Sequence, residues 1–408
     1  MLIKNSIHSS LNRRQLLARL TMGVGLMASH RVVHSAVGSS TADTAEYTAL
    51  IKDDLPSVSA DNLLSQTQVS QVGCKLPSIQ TRLFASSNVG SYDARNQLAL
   101  ERMACAGFYV DNPTIVNRQY LRFAGTDAQR ASDLQNIATG AIDAPKLLLG
   151  VRGGYGAIRL LPMVDWRTLG RVMANHGTIL AGFSDVTAIQ CALLAQGKMS
   201  SLAAPMLYSE FGKVAPDRVS CRQFVSALTD PKLTLEVMSA DLTSAKLPVI
   251  LSANDSRTLT GTIWGGNLSV VSALAGSPYL PRIDGGIVFL EEVGEQAYRI
   301  ERMLYDLYLA GVFKGQQAIV FGSLSGTGED SYDTRYDVSV VIRHLHELTG
   351  LPIYNGMRFG HVSQKSSFPL GATCQISPSR SGGYTLAFSD YPTINAAAIH
   401  AEGLWQGI

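Results

Sequence analysis

The sequence predicts an α/β protein: an N-terminal domain built on a parallel sheet, followed by a C-terminal mixed α/β domain. Three observations carry this. Continuous apolar runs such as "KLLLG" and "TILAG" alternate with helical patterns from about residue 80 onward, as strands buried on both faces do. These runs end in glycine-rich or small-residue turns, the places where parallel sheets bind ligands. A polar stretch rich in Ser, Thr, Asp and Lys, roughly 213–258, separates two apolar blocks. With 408 residues, 46% of them hydrophobic and 16% charged, the chain can bury more than one core.

The first residues stand outside this pattern. "NRRQLLARLTMGVGLMA" places Arg13-Arg14 before a short apolar run rich in Gly, Ala and Met. This resembles a twin-arginine export signal, and residues 1–36 are assigned to it. The run is too short for an ordinary membrane-spanning helix. Ala36 is a candidate cleavage point, although His34 fits the small-residue rule poorly. The expected location is the periplasm, or the cytoplasm if the segment is not a working signal. Residues 37–79 read as an extension or linker.

The N-terminal domain is expected over 80–235. "IQTRLFASS" reads as a strand, and "SYDARNQLALERMACAG" as a helix closed by Gly107. Thr126 and Gln129 have capping-box spacing. "APKLLLGVRGGYG" runs from strand to glycine turn. Asp165 is a candidate N-cap for "DWRTLGRVMANHG". "TILAGF" is a strand, and "DVTAIQCALLAQG" a helix ended by Gly197. A junction is placed at 236–258 and the second domain at 259–400. There Ile300, Met303, Leu304 and Leu307 mark one buried helix face, with Gly311 as its stop. "QQAIVFGSL" and "ATCQIS" read as further strands.

Composition also narrows the partners. The formal charge is +2 with no long basic or acidic block, which gives no footing for nucleic acid or an acidic membrane surface. The five cysteines, Cys74, Cys105, Cys191, Cys221 and Cys374, are scattered without a C-x-x-C pair. Cys105 and Cys191 read as small buried hydrophobes. His344 and His346, two apart on a helix, do not share a face as a metal pair would.

The stretch "AGFSDVTAIQ" offers a serine between a strand and a helix. A serine nucleophile needs an exposed hydroxyl, a base, and N–H donors for the oxyanion. The turn supplies the first, and the Asp185 N–H at a helix start could supply one donor. The pattern is not G-x-S-x-G, since Val occupies position 186. Taken alone, Ser184 or Asp185 reads first as an N-cap. His361 lies in a loop-like stretch, "MRFGHVSQKSSFPLGA", directly after Gly360, and is the histidine best placed to be a base. Glu291 ends the apolar strand "GGIVFLEEVGE", where a buried carboxylate needs a partner such as a histidine N–H. An ordinary exposed acidic turn is the other reading of Glu291, Glu292 and Glu295. Gly153, Gly154 and Gly156 either let the backbone approach a substrate or form a structural turn. "WGGN", residues 264–267, shapes a pocket or makes a tight turn.

The segments "RFAGTDAQRASDL", "VRGGYGAIRLLPMVDW", "GFSDVTAIQCALL", "GTIWGGNLSVVSALAGSPYLP", "IVFLEEVGEQAYRIERMLYDLYLAG" and "FGHVSQKSSFPLGA" occur, in this order, over roughly residues 80–395. Together they resemble the LD-carboxypeptidases. That serine peptidase family contains the murein tetrapeptide carboxypeptidases and the microcin C self-immunity proteins. The resemblance implies two domains with the site between them and a homodimer. It implies removal of D-alanine from an L,D-linked murein tetrapeptide, without metal or organic cofactor. It puts a catalytic triad on Ser184, Glu291 and His361, choosing Glu291 over Glu292. The Asp185 and Gly154 N–H groups would then hold the oxyanion, with Gly153 beside the substrate. Three other readings remain: a peptidyl-nucleotide hydrolase of the microcin C type, a non-catalytic exported binding protein, and a generic esterase, against which the missing G-x-S-x-G weighs.

Overall fold

In the computed structural model the described residues are 74, 76–238, 250–251, 258–379 and 383–406. The export-signal reading of residues 1–36 and nearly all of the 37–79 extension lie outside them.

Strands β1 (Ile79–Phe84), β2 (Phe108–Val110), β3 (Leu147–Gly150), β4 (Ile179–Gly182) and β5 (Ser201–Ala203) form a parallel sheet in the order β5-β4-β3-β1-β2. Every residue of β3 and β4 is buried, because helices cover both faces. The interleaved helices are α1 (Asp93–Cys105), α2 (Asp127–Ala138), α3 (Trp166–His176) and α4 (Thr187–Ala192). Their starts follow local chemistry. Thr126 and Gln129 exchange both bonds of a capping box, and Asp165 accepts the Thr168 N–H at 3.0 Å to cap α3. Helix α4 runs on into a wider turn, Leu193–Gly197. The left-handed residue that closes it is Lys198, with φ of 54°, rather than the expected Gly197. Gly197 is instead a contact point. A Cβ there would come within 2.7 Å of the Trp166 carbonyl, so α3 and this turn approach closely.

The second sheet has eight strands. Strands β6 (Thr234–Val237), β7 (Ile250–Leu251), β8 (Leu259–Asn267), β9 (Ile287–Val293), β10 (Ala318–Ser325), β11 (Ile353–Tyr354), β13 (Thr373–Pro378) and β14 (Tyr384–Ser389) are ordered β6-β14-β13-β8-β9-β10-β11-β7. Its centre, β8-β9-β10-β11, is parallel, and its flanks are antiparallel. Helices α6 (Leu268–Ala273), α7 (Ala297–Leu309) and α8 (Val338–Thr349) accompany it, whereas α5 (Arg218–Thr229) packs on the first half, where its Phe224 meets Phe108 and Phe211. The expected face of α7, Ile300, Met303, Leu304 and Leu307, is buried throughout.

One strand joins the two halves. β12 (Phe368–Leu370) follows β11 in sequence but leaves the second sheet and pairs antiparallel with β5 of the first. The backbone groups of β5 would otherwise form an open edge, which β12 satisfies. The segment between β11 and β12, residues 355–367, is thereby strung from one sheet to the other. His361 lies in it.

Cys105 corrects one expectation. It is buried, but it is disulfide-bonded to Cys74 rather than a free small hydrophobe. The bond ties the segment before β1 to the last turn of α1. Cys191, Cys221 and Cys374 are buried and free.

Candidate active site

The first sheet presents Ser184 at the end of β4. The chain passes from extended Phe183, with φ of −158°, straight into the helical turn Ser184–Val186. Ser184 takes up the reversal with φ of 61°, a left-handed conformation costing a non-glycine residue on the order of 1–2 kcal/mol. Its side chain caps nothing, so the N-cap reading of this serine is set aside. Two glycines make room for the turn. A Cβ on Gly182 would meet the Val186 side chain at 2.8 Å, and one on Gly153 would meet Ser184 Oγ at 2.8 Å. Gly153 thus packs directly on the hydroxyl, at the end of β3.

The second sheet presents Glu291 in β9, fully buried. His361 bridges the two sheets. Its Nδ1 lies 3.0 Å from Glu291 Oε2, and its Nε2 lies 3.0 Å from Ser184 Oγ. A carboxylate only accepts, so Nδ1–H donates to Glu291 and leaves the Nε2 lone pair facing the serine hydroxyl. The ring is held further by the edge of an aromatic cluster: Phe183 packs on His361 at 5.2 Å and on Phe359 at 5.7 Å. Burial pulls the His361 pKa down. The hydrogen bond to Glu291 and the charges of Glu291, Glu292 and Glu210 outweigh it, and the net shift is upward. The other oxygen of Glu291, Oε1, is buried and has no hydrogen-bond partner among the described residues. The neutralising contact of this carboxylate is therefore the imidazole. Gly322 and Gly360 leave the space it occupies, since a Cβ on Gly360 would come within 2.7 Å of Oε2.

The adjacent Glu292 does different work. Its carboxylate accepts from the Asn267 side chain, the Ser269 N–H and the Val293 N–H at 3.1, 2.7 and 2.9 Å. Burial raises its pKa against these bonds. It fixes the "WGGN" turn, which is tight for a reason. A Cβ on Gly266, at φ of 142°, would lie 2.4 Å from Thr187 Oγ1, and that hydroxyl accepts the Asn267 N–H at 3.0 Å. The turn locks the end of β8 onto the start of α4, just beyond Ser184.

Asp185 contributes its side chain as well as its backbone. The carboxylate accepts from the Ser87 hydroxyl at 2.6 Å and from the Ala157 N–H at 2.8 Å. Burial raises its pKa, opposed by these two bonds and by the charges of Arg130 and Arg122. One carboxylate thus ties the Ser184 turn to the segment after β1 and to the helical turn that Ala157 opens after β3. Arg130, fully buried, donates to the carbonyls of Ser86 and Gly156 and pairs with Asp127. The N–H groups of Ser184 and Asp185 precede the first hydrogen bond of the turn, from Val186 N–H to the Phe183 carbonyl. The Gly154 N–H has no acceptor among the described residues.

Behind His361, Lys365 and Glu210 form a buried ion pair at 2.6 Å. Glu210 also accepts from Ser209 Oγ at 3.0 Å. Burial would raise the Glu210 carboxyl, but the Lys365 charge keeps it below its usual range. The Lys365 N–H donates to Ser220 Oγ at 2.9 Å. These contacts bind the His361 segment to the first half of the molecule. Sequence reasoning missed Ser87, Arg130, Glu210 and Lys365. The only local sign was Lys365 itself, a lysine inside the singled-out "GHVSQKSSF" loop. His344 bonds to Glu301 and His346 to the Leu351 carbonyl, away from this site. Among the described residues no group of three or more His, Cys, Asp and Glu side chains could hold a metal ion.

The arrangement is a relay: a hydroxyl, a base facing it, and a carboxylate behind the base. Comparison with known proteins points the same way. The model of the LD-carboxypeptidase N-terminal domain matches residues 82–204, and that of the LD-carboxypeptidase C-terminal domain matches 260–376. A putative carboxypeptidase of Streptomyces coelicolor is 31% identical over 256 residues, covering 62% of this chain and 75% of its own. A murein tetrapeptide carboxypeptidase of Pseudomonas aeruginosa is 28% identical over 269 residues, covering 65% and 82%. The crystal structure of a muramoyltetrapeptide carboxypeptidase from Oxalobacter formigenes superposes with a TM-score of 0.66 at 30% identity, covering 77% of this chain and all of the other.

Proposed function

Because this chain belongs to the LD-carboxypeptidase family, we propose that it is a serine carboxypeptidase that removes the terminal D-alanine from the L,D-linked murein tetrapeptide. The observation that carries this reading is the Ser184–His361–Glu291 relay, with both contacts at 3.0 Å.

In this reading His361 Nε2 takes the Ser184 proton as Oγ attacks the carbonyl preceding D-alanine. Glu291 stabilises the imidazolium that forms. The tetrahedral oxyanion is held by the N–H groups of Asp185 and Gly154. His361 then gives its proton to the leaving amine, and the C–N bond breaks. D-Alanine departs and the tripeptide acyl group remains as an ester on Ser184. Water, deprotonated by His361, attacks the ester; the bond to Oγ breaks as His361 returns that proton to Ser184, and the tripeptide leaves with a free carboxyl group. The strain at Ser184 supports the reading, since such strain collects at functional turns.

The place of action in this proposal is the periplasm. Two features support it: the Arg13-Arg14 leader, and the Cys74–Cys105 disulfide, a bond that persists in oxidising compartments. The working unit in the proposal is a homodimer. Among the described residues no helix is long and apolar enough to cross a membrane.

The deciding experiment is incubation of purified protein with murein tetrapeptide and mass detection of the products. Loss of one alanine by the native chain, absent in Ser184→Ala, is expected. An intact tetrapeptide together with a cleaved peptidyl-nucleotide would move the substrate to the microcin C type. Fractionation of cells followed by the same assay tests the compartment, and sedimentation tests the dimer.

A further inference from the structure

We propose that Arg152, assisted by Arg122, binds the C-terminal carboxylate of the peptide and so makes this site a carboxypeptidase. The inference rests on the function proposed above and adds its missing specificity element. Preference for a peptide that ends in a free carboxylate is best served by a cation about one residue, roughly 3.8 Å, from the attacked carbonyl. The Ser184–His361–Glu291 relay has none. Its nearest buried lysine, Lys365, is already neutralised by Glu210.

Arg152 is the cation that the chain brings next to this point. It directly precedes Gly153, the residue packed on Ser184 Oγ, and lies at the carboxyl end of β3. Its guanidinium is half-buried and donates to the Val89 carbonyl at 2.8 Å. It lies 5.1 Å from the centre of the Tyr208 ring. Among the described residues it has no carboxylate partner. Its remaining N–H groups have no protein acceptor there, and they are not sealed from solvent. A guanidinium gives up part of its hydration when it is half-buried, and a charged acceptor restores it. Here the unused donors form an open fork, the geometry that accepts a carboxylate.

Arg122 stands on the other side of the same short segment. Its carbonyl accepts the Val89 N–H at 3.2 Å, and its Nε donates to Asn88 Oδ1 at 3.4 Å. Asn88 in turn donates its N–H to the Gly153 carbonyl, and its side chain occupies the space beside Gly154. Arg122 lies 5.8 Å from the centre of the exposed Tyr155 ring and has no carboxylate partner among the described residues. Two unpaired guanidiniums therefore flank residues 88–89, which floor the glycine turn next to the nucleophile. By contrast Arg130, Arg159 and Arg118, on the neighbouring α2 side, are each paired with an aspartate.

The test compares a murein tetrapeptide ending in a free D-alanine carboxylate with the same peptide ending in an amide. The native chain should cleave the free acid with a kcat/KM at least tenfold above the amide. Arg152→Ala should lose about 10- to 100-fold on the free acid, the worth of one or two hydrogen bonds to a charge. The loss should fall mainly on KM. The amide rate should hardly change, so the discrimination collapses, and Arg152→Lys should recover part of it. Labelling of Ser184 by a fluorophosphonate should equal that of the native chain, which excludes misfolding. The same contrast should appear as calorimetric binding of the two peptides to Ser184→Ala, with and without Arg152→Ala, so the outcome does not depend on turnover. A free-acid preference that survives in both Arg152→Ala and the Arg122→Ala/Arg152→Ala pair overturns the assignment. Failure of the native chain to cleave either peptide, with binding selectivity intact, overturns the proposed reaction and leaves the carboxylate site standing.

Discussion

The imidazole Nε2 of His361 lies 3.0 Å from the hydroxyl oxygen of Ser184, across 177 residues of sequence. Neither residue could hold this distance by itself. Ser184 is pinned by the strained end of β4, and His361 by a segment whose far end, β12, is a strand of the serine's own sheet. Preorganisation of this kind removes the entropy of bringing base and nucleophile together at reaction.

Ser184→Ala should abolish turnover of murein tetrapeptide while leaving the circular dichroism spectrum and melting temperature close to native. Among the described residues its side chain makes a single hydrogen bond, to His361, so little stability is at stake. Near-native activity in this variant would sink the mechanism.

The base must be neutral to act. The kcat/KM of the native chain should therefore rise with pH, through a midpoint above the ordinary 6.5 of histidine, because Glu291 raises His361. Glu291→Gln should slow the reaction by about 10²- to 10⁴-fold and move the midpoint down. The sign for stability is also set. The raised pKa of His361 makes its pairing with Glu291 contribute fully below 6.5 and fade as pH rises through the folded value. Glu292→Gln should move the midpoint down less than Glu291→Gln does, since its charge acts on His361 without a hydrogen bond, and lower stability by about 1–3 kcal/mol, since an acceptor facing the Ser269 N–H or Asn267 is lost. If Glu292→Gln gave the larger kinetic defect, the carboxylate of the relay would be misassigned.

Gly153→Ala separates space from fold. Its added methyl would meet Ser184 Oγ and Cβ at 2.8 and 2.9 Å. A displacement of the nucleophile by up to about 1 Å should cost on the order of 10²-fold in kcat. Steady-state kinetics read this directly, and a kcat within threefold of native would show that the turn yields without consequence.

Lys365→Met leaves the Glu210 charge buried without its partner. Chemical denaturation should show a loss of about 3–5 kcal/mol, and Lys365→Met/Glu210→Leu should recover much of it. Because this pair helps hold the His361 segment, the single variant should also lose activity. A double variant no more stable than the single one would contradict this account.

Reduction of Cys74–Cys105 opens a loop of sequence separation 31, worth about 3–4 kcal/mol on the loop-entropy scale. Thermal melts with and without reductant should differ accordingly, and Cys74→Ser should reproduce the reduced form. Identical melts would mean that the bond ties together segments already fixed by packing.

Much of the local structure was legible in the sequence. The strand–helix alternation, the Thr126 capping box, the Asp165 cap and the buried face of α7 each depend on residues a few positions apart. Ser184, Glu291 and His361 were also legible as candidates, each at a strand end or in a glycine-flanked loop. Less legible was what each side chain does. Ser184 by pattern was a helix cap, and only the extended Phe183 and the left-handed Ser184 turn its hydroxyl to His361. Asp185 was valued for its N–H, and its carboxylate proves to clamp the Ser184 turn to two neighbouring segments through Ser87 and Ala157. Cys105 was a buried hydrophobe until Cys74 arrived from outside the first strand.

The sequence by itself determined the class of fold, the order of its elements and the short list of residues able to do acyl chemistry. Periodicity, caps and turn residues act over a few positions, where chain connectivity already holds the partners close. Tertiary structure decided which of two adjacent glutamates meets the histidine. It also decided that β12 returns to the first sheet, that Lys365 is neutralised by Glu210, and that Arg152 has no carboxylate partner among the described residues. These are pairings across many tens of residues. They follow from which edges remain open and which charges end up buried once both sheets have formed, and no local pattern in the chain encodes that.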